Sequence, residues 1–480
     1  MTPASIITRL NDLSPNLDGD YVLYWMIANR RSEWNFSLDR AIELCTEFGK
    51  PLLVLEALRV GYDWASDRIH QFVIQGMRDN QLALADSRVT YYPYLEPQNG
   101  AGKGLLSALA ENACALVTDD FPCFFLPRMV RAAAERVSVS MEMVDSNGLF
   151  PMRAATKTFS RAVDFRRFLQ RELESHLHTV PSAAPLKGLD LPVASIPGHL
   201  LDQWPLADLD NVTLSRLPID HSVSALALQG GARAAGEVLH NFLDSGLRVY
   251  GEDRNHPQRA AASGLSPYLH FGHLSSHQVF AELASVEDWS PSCLSLTCRG
   301  QREGWWGMGT NAEAFLDQIV TWRELGYNMC SRVENYDAWE SLPAWAIESL
   351  LAHADDPREF VYSLPEFEQA QTHDSLWNAA QNQLRQEGRI HNYLRMLWAK
   401  KILHWSEHPK HALAIALHLN NKYGIDGRNP NSYSGVLWTF GRYDRAWGPE
   451  RPIFGKIRYM TCDSTRRKFK VEDYVAQYSL

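Results

Sequence analysis

The run Gly388-Arg389-Ile390-His391-Asn392-Tyr393-Leu394-Arg395-Met396-Leu397-Trp398-Ala399-Lys400-Lys401-Ile402-Leu403-His404-Trp405 decides how the second half of this 480-residue chain folds. Its apolar residues at 390, 394, 397, 398, 402 and 405 recur with a 3.6-residue period, not with the alternation of a strand. Good helix formers fill it, Gly388 stands ahead of it and Pro409 lies beyond its last turn, so the spacing predicts a helix. Arg395 and Trp398 are three apart, and Trp398 and Trp405 seven apart, which sets all three near one face. Two indoles and an arginine serve equally well as core anchors, so this helix alone assigns them no chemistry.

Working outward, the pattern is helical nearly throughout from Ser224, with loops expected at 246–266, 287–311, 406–411 and 420–458, which implies an all-α domain over 224–480. Before it, 166–223 opens on a helix around Phe165 to His178 and continues through Pro181, Pro185, Pro192, Pro197 and Pro205 with no sustained period. It reads as a linker that wraps the surface. The first 165 residues alternate differently. Strands are expected at Tyr21–Ile27, Pro51–Leu58, Val89–Tyr94, Ala115–Thr118 and Met141–Val144, with helices between the first four, the pattern of a parallel sheet with crossover helices. The fold class expected is therefore α/β: a Rossmann-like parallel-sheet domain (1–165), a linker and an all-α domain. Asp119 and Asp120 fall at a strand end, the usual ligand edge of such a sheet, where acids also form loops.

Composition narrows the class. Seven cysteines show no CxxC pair and no metal-ligand spacing, as in reduced thiols of a cytosolic protein, and no metal is expected. No run approaches eighteen apolar residues and the N-terminus lacks a signal pattern, so neither export nor membrane spanning is expected; the chain is expected to be cytoplasmic and a monomer. The net charge is −9, yet residues 381–470 hold 17 Lys and Arg against 6 Asp and Glu, which is +11 on a remainder of −20. A basic region on an acidic protein suits either a solvated face or local contact with phosphate backbone.

Four segments then carry a resemblance: GLSPYLHFGHLSS (264–276), HNYLRMLWAKKILHW (391–405), NKYGIDGRNPNSY (421–433) and ERPIFGKIRYM (450–460). In this order they resemble the class II cyclobutane pyrimidine dimer photolyases of the cryptochrome and photolyase superfamily. The resemblance implies an α/β antenna domain, a long linker and a helical FAD domain, with UV-damaged DNA as partner. It also implies light-dependent repair, in which photoexcited reduced FAD passes an electron to the dimer.

Site residues follow from the same resemblance. Ser263, Gly264, Leu265 and Ser266, small residues before a helix, stand where the family grips the FAD phosphates, with Tyr250 a further contact; a plain N-cap explains the same residues. Arg395 and Asp426, the latter beside Gly427, are expected as a bidentate pair against the isoalloxazine, and Asn420 faces its reactive nitrogen. Trp398, Trp377 and Trp405 match the electron-relay tryptophans; indoles pass charge without burying a permanent ion. Trp322, Trp438 and Met396 match the walls of the dimer pocket, where a flipped lesion needs flat apolar surfaces.

Two departures bear on activity. Gln318 stands where the family has a glutamate, and an amide donates a hydrogen bond but delivers no proton. The loop after Trp438 is one residue short and lacks the family's Gly-Gly and His, leaving Arg442 and Arg445 to reach phosphates. These favour, as alternatives, a cryptochrome-like photoreceptor or a changed lesion preference. The glycine-rich stretch 293–311 is expected to be either a disordered insertion or a lid. In the first domain the family's antenna residues are replaced around Trp25 to Arg31, so an 8-hydroxy-5-deazaflavin type of antenna is compatible with the chain but no residue is assigned to it.

Overall fold

The buried run Tyr21–Met26 is the centre of a six-stranded sheet in a computed structural model that describes residues 1–259 and 261–479. The strands are β1 (Ile7–Arg9), β2 (Tyr21–Met26), β3 (Leu52–Leu58), β4 (Thr90–Leu95), β5 (Ala113–Asp119) and β6 (Met141–Val144), in the order β1-β6-β5-β2-β3-β4. All neighbours run parallel except β1, which pairs antiparallel with β6. Parallel pairing requires crossovers, which the helices Phe36–Phe48, Asp67–Ala85, Leu105–Glu111 and Leu126–Ala134 supply. The β1 strand and the Leu126–Ala134 helix were not expected: three residues are too few to show a period, and the helix, though amphipathic, spans only nine residues.

By its contacts the chain divides into two compact units, Met1–Thr156 with Glu172–Asn241 and Gly264–Pro291, and Lys157–Arg171 with Phe242–Ser263 and Ser292–Leu480. This differs from the boundaries expected at 165/166 and 223/224. Most of the proline-punctuated stretch belongs to the first unit and helps form its core: Leu191 packs with Val22, Val54 and Val117, and Leu209 with Ile69, Val73 and Met77. The helices Ser266–Phe271 and Ser276–Val286 also go with the sheet unit.

In the first unit the acids at the end of β5 hold loops. The Asp119 carboxylate accepts the Ile27, Ala28 and Asn29 amides at 2.8–2.9 Å and the Tyr24 hydroxyl at 2.8 Å, while Asp120 binds the Arg153 guanidinium at 2.5 and 2.8 Å. The second unit is helical. No described helix is long and apolar enough to cross a membrane.

Within the second unit the stretch 293–311 is folded. Trp305 and Trp306 are 3 % and 8 % exposed, and the buried Glu313 carboxylate collects the amides of Gly304, Gly307 and Met308. The expected disordered insertion is corrected on this point: two buried indoles and three amides on one carboxylate offset the entropy of ordering its glycines.

Candidate functional site

The helix expected around Arg395 runs from Asn392 to Trp405, and its predicted apolar stripe is buried, with Leu394, Trp398 and Ile402 at 0 % exposure. Gly388 ends the preceding helix, Ser375–Glu387, in a left-handed conformation, and Asp374 starts that helix by accepting the Trp377 amide at 2.9 Å. These two caps fix both ends of the helix that carries Trp377, while His391 caps the helix of Trp398 and Trp405 by accepting the Tyr393 amide at 3.3 Å.

The indoles form a chain that crosses between helices. Trp398 and Trp377 stack at 6.4 Å between centroids with planes 6° apart, and Trp377 meets Trp405 edge-on at 6.2 Å. Trp377 therefore stands between two residues of the neighbouring helix, an order that spacing along one helix does not reveal. The Trp398 Nε1 donates to Gln381 Oε1 at 2.9 Å and the Trp377 Nε1 to the Trp398 carbonyl at 3.0 Å, so neither indole N–H is left buried alone. Trp405 is 4 % exposed, with Tyr362 and His373 against its ring at 6.0 and 4.7 Å.

Asn420 lies on the Pro409–Tyr423 helix with 0 % exposure. Its Nδ2 donates to Ser432 Oγ at 2.5 Å, Ser432 donates onward to Asn421 Oδ1 at 3.1 Å, and Asn421 Oδ1 also accepts the Arg428 amide at 2.8 Å. Because the serine hydrogen is committed to Asn421, the serine oxygen accepts, which sets the orientation of the Asn420 amide. Its Oδ1 is then left buried with no hydrogen-bond partner. Such a group costs free energy unless something occupies the space before it. The glycines of the following loop permit this arrangement: a Cβ at Gly424 or Gly427 would come within 2.6 or 2.8 Å of the Asn420 carbonyl oxygen.

Asp426 on that loop meets Arg395 through one contact, Nη2 to Oδ1 at 3.3 Å, with the side chains 21 % and 14 % exposed. The bidentate geometry expected is replaced by a single longer contact. Tyr250, 7 % exposed, packs edge-on between Phe242 and Phe315 at 5.5 and 5.4 Å, and Arg254 lies 5.6 Å from its ring. Ser263 ends one segment of this unit. Gly264, Leu265 and Ser266 begin a segment of the other, with Gly264 at φ 70° ahead of the six-residue helix Ser266–Phe271.

Gln318 and Trp322, both partly exposed, lie on a π-helical turn, Asp317–Trp322, between the helices Thr310–Leu316 and Arg323–Arg332. Asp317 is anchored there by Arg166 at 2.7 and 2.8 Å. A widened turn displaces side chains from their α-helical positions and is common at working sites; nothing in the residue pattern marks it beforehand.

Met396 is partly exposed, and so is Trp438, at the end of the Pro430–Trp438 helix. That helix fell inside an expected loop, although Asn429 capping Pro430 is a readable start signal: Asn429 Oδ1 accepts the amides of Asn431 and Ser432 at 2.7 and 3.1 Å. Arg445 is exposed and lies 4.6 Å from the Trp447 ring. Arg442 does not reach solvent, which corrects its expected phosphate contact. It is 2 % exposed and donates to the Ser341 carbonyl and hydroxyl, because the backbone after Trp438 turns inward through Gly441 at φ 113°. Residue reasoning also gave no role to Gln381, Ser432 and Lys400: Gln381 is one of several polar residues on its helix, and Ser432 and Lys400 lie inside quoted segments whose order does not say which group each side chain meets.

No protein-family model matches the chain. It is 36 % identical over 477 residues to a deoxyribodipyrimidine photo-lyase of Methanothermobacter thermautotrophicus, covering 99 % of this chain and 98 % of that protein. To the deoxyribodipyrimidine photo-lyase of Arabidopsis thaliana it is 34 % identical over 466 residues, 95 % of this chain and 88 % of that one. The crystal structure of a bacterial class III photolyase from Agrobacterium tumefaciens superposes with a TM-score of 0.68 at 18 % identity, covering 98 % of this chain and 88 % of that one, a likeness of fold. With more than a third of the residues shared along almost the entire length of both proteins, this chain belongs to the deoxyribodipyrimidine photolyase family.

Proposed function

We propose that this protein is a light-driven DNA repair lyase of the class II group, splitting cyclobutane pyrimidine dimers in UV-damaged DNA with FAD as its cofactor. The observation that carries the reading is the presence in the second unit of both a buried, partnerless amide oxygen on Asn420 and a contiguous Trp398–Trp377–Trp405 chain. FAD when bound supplies a photoexcitable one-electron donor.

The residues present suit that group. Arg395 and Asp426 offer opposite charges on one side of the site, so the pair tolerates a cofactor that changes charge without itself becoming a lone buried ion. Asn420, held by Ser432, presents Oδ1 as an acceptor for an N–H and brings no charge. Trp398 takes the innermost place in the indole chain, and Trp405 the outermost. Tyr250 is the further cofactor contact. On the substrate side, Trp322, Trp438 and Met396 are the walls against which an extruded dimer stacks, and Gln318 hydrogen-bonds it without giving a proton. Arg445 contacts phosphate, a contribution that positions DNA without reading its sequence.

The test is repair of an oligonucleotide carrying one cyclobutane thymine dimer by the reduced protein, in blue light and in darkness. A parallel substrate carrying a (6-4) photoproduct reads lesion preference. Loss of dimers only in the light is expected; persistence of dimers at saturating protein sinks the proposal. The absorption spectrum of the purified protein reads bound FAD and any deazaflavin-type antenna band together.

A further inference from the structure

Lys400 occupies a position that packing alone does not explain. Its ammonium is inside the protein, 1 % exposed, and donates to the Thr439 carbonyl at 2.5 Å, yet it makes no ion pair among the described residues. It lies 5.7 Å from the Trp438 ring centroid. On its own helix it is one turn beyond Met396, so the two side chains share a face. Lys400 thus lies near one of the residues assigned to the lesion pocket and shares a helix face with another.

The charged groups around it come from the segment after Trp438. Arg458 lies 5.3 Å from the Trp438 ring and 4.3 Å from that of Trp447, but Asp444 binds it at 3.2 Å and also accepts the Trp447 indole N–H at 3.0 Å. The Arg458 charge is locally balanced and that of Lys400 is not. Burial pushes the Lys400 ammonium down to about 7, with Asp444 working to raise it and Arg458 to lower it further. An unbalanced buried cation is costly, and groups of that kind concentrate where a charge of the opposite sign arrives during function.

We propose that Lys400 is the resident counter-charge of the lesion pocket, a positioning residue that acts through Trp438 to stabilise the negative charge on the dimer. This inference rests on the dimer-repair reading. In the step concerned, the dimer accepts one electron, its two cyclobutane C–C bonds break, and the electron is given back, so the substrate is anionic only between those events and no electron is consumed. A fixed cation beside the pocket favours the anion over the neutral ground state, the difference that accelerates a step. Gln318 leaves room for this role, because its amide supplies neither a charge nor a proton. The competing role is structural: an ammonium satisfying a carbonyl at the end of the Pro430–Trp438 helix.

The experiment measures the repair quantum yield of the dimer oligonucleotide against pH for the wild type, Lys400→Met and Lys400→Arg. Alongside it are measured the dark affinity for the same oligonucleotide and the 13Cε titration of Lys400 in the wild type. The expected result is a wild-type yield that falls as pH rises, in step with the Lys400 resonance. Lys400→Met should be about ten-fold lower and flat with pH, Lys400→Arg high and flat, and dark affinities should agree within about three-fold. A wild-type yield that stays constant while the Lys400 resonance titrates overturns the proposal, and so does a Lys400→Met yield equal to wild type. Should Lys400→Met not fold, the two wild-type curves decide. Absence of light-dependent repair in every protein overturns the dimer-repair reading, and this proposal with it.

Discussion

Ser432→Ala tests how the Asn420 amide is oriented. The substitution removes a buried hydroxyl that accepts from Asn420 Nδ2 at 2.5 Å and donates to Asn421 Oδ1 at 3.1 Å, while the Ser432 backbone, held by the Asn429 cap, keeps its place. Each neutral hydrogen bond is worth about 1 kcal/mol net, and a buried amide donor left alone costs about 1–3 kcal/mol, so a loss of about 2–3 kcal/mol is expected. Asn421 is compensated, since its Oδ1 keeps the Arg428 amide. Without the serine, the Asn420 amide has no fixed sense, and its oxygen and nitrogen exchange places at little cost. Urea unfolding followed by tryptophan fluorescence reads the stability. The pH at which the photoreduced cofactor changes between neutral and anionic forms reads the orientation, and it is expected to shift. A stability loss below about 0.5 kcal/mol together with an unmoved transition would show that Ser432 does not set the amide.

Trp377→Phe is expected to keep the fold at a cost of about 1–3 kcal/mol, since the smaller ring leaves part of the buried indole's space empty and the bond to the Trp398 carbonyl is lost, but to slow photoreduction by about ten-fold or more because a phenyl ring is not oxidisable under these conditions; transient absorption of the tryptophan radical measures it, and an unchanged yield would remove Trp377 from the relay. Arg445→Ala should lower the salt dependence of DNA binding by about one phosphate contact, whereas Arg442→Met, at a buried position, should leave that slope unaltered; equal effects from both would contradict their placement. Asp374 gives a pH prediction. Burial works to raise its carboxyl, but the Trp377 amide and Arg466 outweigh this and hold it below its ordinary 3.8. Its contribution is therefore complete above that value and is lost as pH falls through the lower folded value, so the stability difference between wild type and Asp374→Asn should shrink in acid titrations below about pH 4. A difference that stays constant with pH would mean that the ion pair contributes nothing.

Much of this protein follows from residue order alone. The period at 390–405 dictates a buried helix, and the apolar runs at 21–27, 51–58 and 115–118 dictate interior strands of a parallel sheet, because hydrophobic spacing is a local property that burial must respect. The NKYGIDGRNPNSY loop likewise announces itself, its glycines being required wherever backbone closes on the Asn420 carbonyl. The tertiary structure decided matters that depend on residues far apart in the chain. It placed Trp377 between Trp398 and Trp405, drew Arg442 inward while Arg445 stayed outside, folded 293–311 around Glu313, and buried Lys400 beside Trp438. It also gave most of the proline-rich stretch to the sheet unit, where Leu191 and Leu209 fill gaps that no local pattern reveals. Periodicity records which face of an element is apolar. Which polar group meets which, and which is left without a partner, is settled only when the elements pack.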